Sequence, residues 1–175
     1  MKKKVAVLVV NPVNGSGLFQ YLESFYENSI PFTTFAVAEN TSVQSNSGVK
    51  LETNDVVANL TNRVDEFDAV VFACGDAMPK YAENANQPFN HDMQKALKAF
   101  NEKGKILIGH CAAALLFDSI GIGKGLKVAQ HPYIKNIIKN CIATDDQFVV
   151  DGNIYTARTE TDIQKLLPDV LSALR

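Results

Sequence analysis

Between Lys105 and Phe117 the chain reads Lys-Ile-Leu-Ile-Gly-His-Cys-Ala-Ala-Ala-Leu-Leu-Phe, and few folds accommodate such a run. Lys105 to Ile108 has the length and β-branched content of a buried strand, whereas Ala112 to Phe117 consists of strong helix formers. Cys111 therefore falls where a strand turns into a helix. A thiol at such an elbow is lifted clear of the sheet, and backbone N–H groups and the positive end of a helix favour its ionised form. Gly109 and the alanines after Cys111 leave room for the turn. The alternative is a small buried thiol filling space among alanines.

The rest of the sequence supplies strands to flank that elbow. Lys4 to Val10 reads as a central strand, followed by the loop Asn11 to Gly17 and an amphipathic helix with Leu18, Leu22, Phe25 and Tyr26 on one face. Pro31 to Val37 reads as a second strand, and Glu39 to Gly48, rich in Ser, Asn and Thr, as a solvated loop. Thr53 or Asn54 is expected to cap a short helix carrying Val56, Val57, Leu60 and Val64 inward. Asp68 to Ala73 reads as a third strand ending at Cys74-Gly75-Asp76. Ala77 to Phe89 is polar and irregular, and the helix after it places Met93, Ala96, Leu97 and Phe100 on one face before Gly104 stops it.

After the elbow, Gly121-Ile-Gly-Lys-Gly125 follows a helix, so it reads as a cap and turn; a dinucleotide cradle would open a helix after a strand. Leu126 to Ala129 reads as a short strand, and His131-Pro132 as the opening of a helix with Ile134, Ile137, Ile138 and Cys141 inward. Phe148 to Tyr155 is a hairpin turning at Asp151-Gly152. Thr161 with Gln164 forms a capping box for a last helix that Pro168 should bend.

Helix follows strand repeatedly, which implies an α/β fold: a doubly wound, mostly parallel sheet with helices on both faces and a site at the carboxyl ends of the strands. Three loops meet there, Asn11 to Gly17, Cys74 to Asp76 and His110 to Ala112. A length of 175 residues fits one domain spanning 1–175. The net charge of −2 offers no basic footprint for nucleic acid or a membrane surface, and no apolar run is long enough to span a bilayer. The chain's 3 cysteines, widely spaced, argue against a disulfide framework or a structural zinc site and for a reducing cytoplasm.

The run Gly109-His-Cys-Ala-Ala-Ala-Leu-Leu, the Ile120-Gly-Ile-Gly turn, Lys127-Val-Ala-Gln-His131-Pro132 and the hairpin Val150 to Arg158 together resemble the ThiJ/PfpI superfamily, which includes the Parkinson-associated protein deglycase. The resemblance covers essentially the whole chain. It implies the class I glutamine amidotransferase-like, flavodoxin-like fold, usually as a homodimer, and a readily oxidised elbow cysteine; no cofactor or metal is expected. Family activities include glyoxalase, deglycase, amidase, protease, isonitrile hydratase and chaperone.

By this resemblance Cys111 is the nucleophile and His131 the histidine that approaches it from a later helix, unless His131 only caps that helix. Gly75 and Ala112 would offer backbone N–H groups to an oxyanion. Cys74 stands where the family usually has a glycine, either filling that space or resolving an oxidised Cys111 as a disulfide. Gly17 stands where the family carries a proton-transferring glutamate. That departure disfavours glyoxalase chemistry, which needs a base. Asn14 and Ser16 do not titrate usefully, whereas Asp76 could supply the missing carboxylate or cap local backbone. His110, one residue from Cys111, starts on the opposite face of its strand and reads as a buried structural residue, with proton donation as the alternative. Two functions follow: a cofactor-independent hydrolase or lyase acting on a small electrophilic carbonyl or amide, and a redox-sensing protein without turnover. A third is an FMN binder using the Asn11 to Gly17 loop for phosphate.

Overall fold

The computed structural model describes residues 3–175. In chain order its elements are β1 (Val5–Val10), α1 (Gly15–Glu27), β2 (Phe32–Val37), β3 (Ser42–Gln44), β4 (Lys50–Glu52), β5 (Asp55–Val56), α2 (Val57–Leu60) and β6 (Ala69–Ala73). Then come α3 (Pro88–Glu102), β7 (Ile106–His110), α4 (Ala113–Ser119), β8 (Lys127–Ala129), β9 (Ile142–Thr144), β10 (Phe148–Asp151), β11 (Ile154–Ala157) and α5 (Ile163–Leu174).

A seven-stranded sheet in the order β10-β11-β7-β6-β1-β2-β5 forms the centre, parallel throughout except for β10 against β11. All of β1 and β6 is buried, as apolar runs without alternation require of strands covered on both faces. α1 packs with α5 and α2 with α3. The β1-to-β2 and β6-to-β7 crossovers step in opposite directions, so right-handed connections put these two helix groups on opposite faces. The chain reverses direction across the sheet between β1 and β6, and the loops leaving β1, β6, β7 and β11 gather at one end. That end is where an open α/β sheet presents its ligands.

Four local expectations fail, because other contacts win. Glu39 to Gly48 is not all loop: β3 pairs antiparallel with β4 and buries Val43. Thr53 and Asn54 do not cap α2, whose N-cap is Val56; Asn54 Oδ1 instead accepts from the N–H and hydroxyl of Thr34 on β2, while the Thr53 hydroxyl donates to the Asp55 carbonyl. Pro132–Ile137 is a 3-10 turn rather than an inward-facing helix, and it leaves Tyr133 and Ile137 exposed. The capping box at Thr161 does not form either. The Thr159 hydroxyl is bonded to Thr161 and to the Asp162 carboxylate, and a 3-10 turn over Glu160–Asp162 precedes α5. The glycines at 121, 123 and 125 lie in the turn after α4, as expected.

Candidate active site

The elbow is built by close packing. A Cβ on Gly109 would lie 2.4 Å from the Cβ of Ala113, so only glycine lets the first turn of α4 fold back over β7. Cys111 itself adopts φ 57°, the left-handed region that side chains rarely enter, at a cost of about 1–3 kcal/mol. Neighbouring strands hold it there. The Cys111 N–H donates to the Ala157 carbonyl at the end of β11 (3.1 Å), and the Cys111 carbonyl accepts from the His131 N–H (3.3 Å).

On the other side stands β6. Its register with β7 ends at Phe72 opposite Gly109, so Cys74 and Cys111 leave the ends of adjacent strands. The loop beyond Cys74 is clamped, because Asn14 N–H donates to the Cys74 carbonyl (3.0 Å) and a Cβ on Gly75 would fall 2.4 Å from the Pro12 carbonyl oxygen. Cys74 is 3% exposed, and its thiol lies close enough to that of Cys111 for each to shift the other's pKa. The backbone N–H groups of Gly75 and Ala112 both favour the charged form of Cys74, and that of Ala112 also favours the charged form of Cys111. The two N–H groups expected to receive an oxyanion therefore act on the Cys74 sulfur.

This arrangement pulls the two thiols apart. The hydrogen bond from Cys74 lowers the Cys111 pKa, burial opposes it, the Ala112 N–H lowers it further, and the negative charges of Glu160 and Asp76 raise it; the net result is a depressed thiol. Cys74 moves well upward, because its proton is shared with Cys111, its surroundings are dry and a neighbouring thiolate repels a second charge. Cys141, the third thiol, is pushed up to about 12 by burial and by Asp118, and its S–H donates to the Ile122 carbonyl, so it belongs to the core as expected.

The remaining candidates take other parts. Asn14 Oδ1 caps α1 by accepting from the Gly17 N–H (2.8 Å). A Cβ on Gly17 would lie 2.6 Å from His110 Nε2, so the imidazole fills the space beside the helix start. His110 is 1% exposed, with Nδ1 3.5 Å from the Tyr21 hydroxyl and Nε2 without a partner among the described residues; burial pushes its pKa down to about 4. At neutral pH its ring is therefore uncharged. His131 touches the elbow through its backbone, while its Nδ1 accepts from the Tyr133 N–H and its ring leans on Tyr133 at 4.9 Å. The N–H of Asp76 donates to Asn46 Oδ1, and its carboxylate bears on Cys111 only as charge.

Glu160 escaped the sequence reading. It follows β11, and the adjacency of β11 to β7 alone brings its charge near Cys111, where Gln20 of α1 donates to its backbone carbonyl. A cavity of about 310 Å³ opens beyond Asp76, lined by Asn11, Pro12, Tyr81 and Phe89 among others; Cys111 does not line it. Among the described residues no three His, Cys, Asp or Glu side chains gather to hold a metal ion, and no helix is long and apolar enough to cross a membrane.

Residues 3–173 match the sequence profile of the DJ-1/PfpI family. Protein ppBat of Bacteroides thetaiotaomicron is 55% identical over 175 residues, covering 100% of both chains. A crystal structure from the same organism, described as a candidate protease I, superimposes with TM-score 0.97 at 55% identity over 99% of each chain. The crystal structure of Drosophila melanogaster DJ-1beta shares the fold at TM-score 0.85 and 19% identity, over 99% of this chain and 91% of that one.

Proposed function

The chain belongs to the DJ-1/PfpI family, and from that premise we propose that its function rests on a Cys111 thiolate that reacts with peroxide. One observation carries this reading. The backbone N–H groups of Gly75 and Ala112 favour negative charge on the Cys74 sulfur, and the Cys74 thiol in turn supports the charge on Cys111. Acyl or carbonyl chemistry needs those donors free for a developing oxyanion, together with a group that titrates near neutrality. Position 17 is glycine, and His110 is held neutral by burial. Peroxide chemistry asks less of the site. An accessible thiolate attacks one oxygen and the O–O bond breaks, with no tetrahedral intermediate to stabilise.

A second reading, attack by Cys111 on a small electrophilic carbonyl or amide, draws on the same depressed thiol and on the relative described as a candidate protease I. It requires the two N–H groups to serve an oxyanion instead of the Cys74 sulfur. Either reading assigns the protein to a reducing cytoplasm, where a thiolate and a neighbouring thiol persist between encounters with substrate.

The test is alkylation rate against pH, resolved by peptide mass, with sulfenic acid trapped after brief peroxide treatment. Cys111 should react first, with an apparent pKa below the ~8.5 of a free cysteine. Faster labelling of Cys141, or a Cys111 that reacts only above that pH, would remove the assignment.

A further inference from the structure

Resting on the reading of Cys111 as a peroxide-reactive thiolate, we propose that Cys74 is its resolving cysteine and that the pair reduces peroxides catalytically through a Cys74–Cys111 disulfide. Placement carries the argument first. β6 and β7 run side by side, and Cys74 and Cys111 leave their adjacent ends. Adjacent strands are about 4.8 Å apart, inside the Cα separation of about 4.4–6.8 Å that a disulfide spans. Direction carries it further. The two thiols act on one another strongly enough to drive their pKa values in opposite directions, which places their sulfurs on the same side of the elbow.

The chemistry balances in three steps. Cys111 thiolate attacks a peroxide oxygen; an S–O bond forms, the O–O bond breaks, the sulfur loses two electrons, and the alkoxide or hydroxide leaving group takes a proton to become alcohol or water. The Cys74 sulfur then attacks the Cys111 sulfenic acid, giving the disulfide and hydroxide, which leaves as water with the Cys74 proton. An external dithiol supplies the two electrons and two protons that restore both thiols.

The site prepares the second step. While Cys111 is a thiolate, the hydrogen bond between the sulfurs and the repulsion of a second charge both hold the Cys74 proton on, together with burial. Oxidation to a neutral sulfenic acid removes the first two of these. The Gly75 and Ala112 N–H groups, which favour a negative sulfur at Cys74, then act against burial alone. Cys74 is thus armed by the oxidation that it resolves. Being 3% exposed, it is hidden from peroxide itself, so the division of labour between the thiols is fixed by burial. The clamp of Asn14 on the Cys74 carbonyl keeps its backbone in place while the sulfur turns.

The experiment treats the full-length protein with one equivalent of hydrogen peroxide, maps the peptides by mass, and separately follows peroxide consumption with excess dithiothreitol. A loss of two hydrogens in a Cys74 to Cys111 cross-linked peptide, with sustained peroxide consumption, is expected for the wild type. Cys74→Ser and Cys74→Ala should both lose sustained consumption and accumulate Cys111 sulfinic acid, while Cys141→Ala behaves as the wild type. Wild-type protein that gains two oxygens on Cys111 while Cys74 stays a free thiol would overturn this proposal and leave the peroxide-reactive thiolate standing. Wild-type protein in which Cys111 is not oxidised at all would overturn both.

Discussion

Gly17 and His110 divide one small volume between them, and the division shapes what this site can do. A glutamate at position 17 could not simply be restored, because even its Cβ would meet the His110 ring at 2.6 Å, and that ring is walled in against Tyr21. Gly17→Ala is expected to destabilise by about 1–3 kcal/mol despite the better helix former, and His110→Ala in the same chain should relieve much of the loss, as read from urea midpoints. Methylglyoxal turnover should be weak or absent in the wild type, since moving a proton between carbons needs a base that position 17 does not offer. Lactate formation that Cys111→Ser abolishes, at rates matching glutamate-bearing relatives, would show that another base operates. His110 also sets a pH dependence. Its folded pKa of about 4 lies below an unfolded value near ~6.5. Above ~6.5 both states are neutral, and as the pH falls only the unfolded chain takes up the proton, so stability drops by ~1.4 kcal/mol per unit and by about 3 kcal/mol in all by pH ~4. Comparing urea midpoints at pH 7 and pH 5 should show that slope, and His110→Phe should flatten it.

At the scale of elements, the elbow was legible because its signals are local: an apolar strand, a glycine that permits close packing, a cysteine and a run of alanines. The partner strand β6 was legible for the same reason. What escaped depends on who lies next to whom. Val43 is a lone buried residue between polar neighbours, too little to announce β3, and Asn54 looked like a cap because its bond to Thr34 is not visible in the sequence. The isoleucines from 134 to 138 had helical spacing, yet the chain there is tied down from outside. Asp118, near the end of α4, accepts from the N–H groups of Lys139, Asn140 and Cys141, at 3.1, 2.7 and 2.7 Å. Burial disfavours its charge, but these three donors outweigh that and hold its carboxyl below the usual range. Asp118→Ala should therefore cost about 2–4 kcal/mol by stranding three donors, and Asp118→Asn less, as denaturant titration would show. If alanine is tolerated as well as asparagine, the segment is held by something else.

For the whole molecule, one apolar core runs through both helical layers. Unfolding followed by far-UV circular dichroism and by tyrosine fluorescence, the chain having no tryptophan, should give coincident transitions. Two separated transitions would mean that 1–175 is not a single unit. The homodimer that the family resemblance implies is a further proposal: Phe19 and Tyr26 stand out from α1 at 44% and 77% exposure, and a second copy would cover them. Sedimentation velocity should give twice the monomer mass, and Phe19→Lys with Tyr26→Lys should halve it. The sheet ends bluntly on both sides. β5 is two residues long and its Asp55 is paired with Arg63, while beside β10 the β8 strand lies close, its Lys127 N–H taken by the Asp151 carboxylate. An edge so short, or so encumbered, gives an incoming chain little backbone to pair with. Fibrous deposits of this protein would then have to be seeded by molecules already frayed at one margin, and the intact fold would be a poor template for their growth.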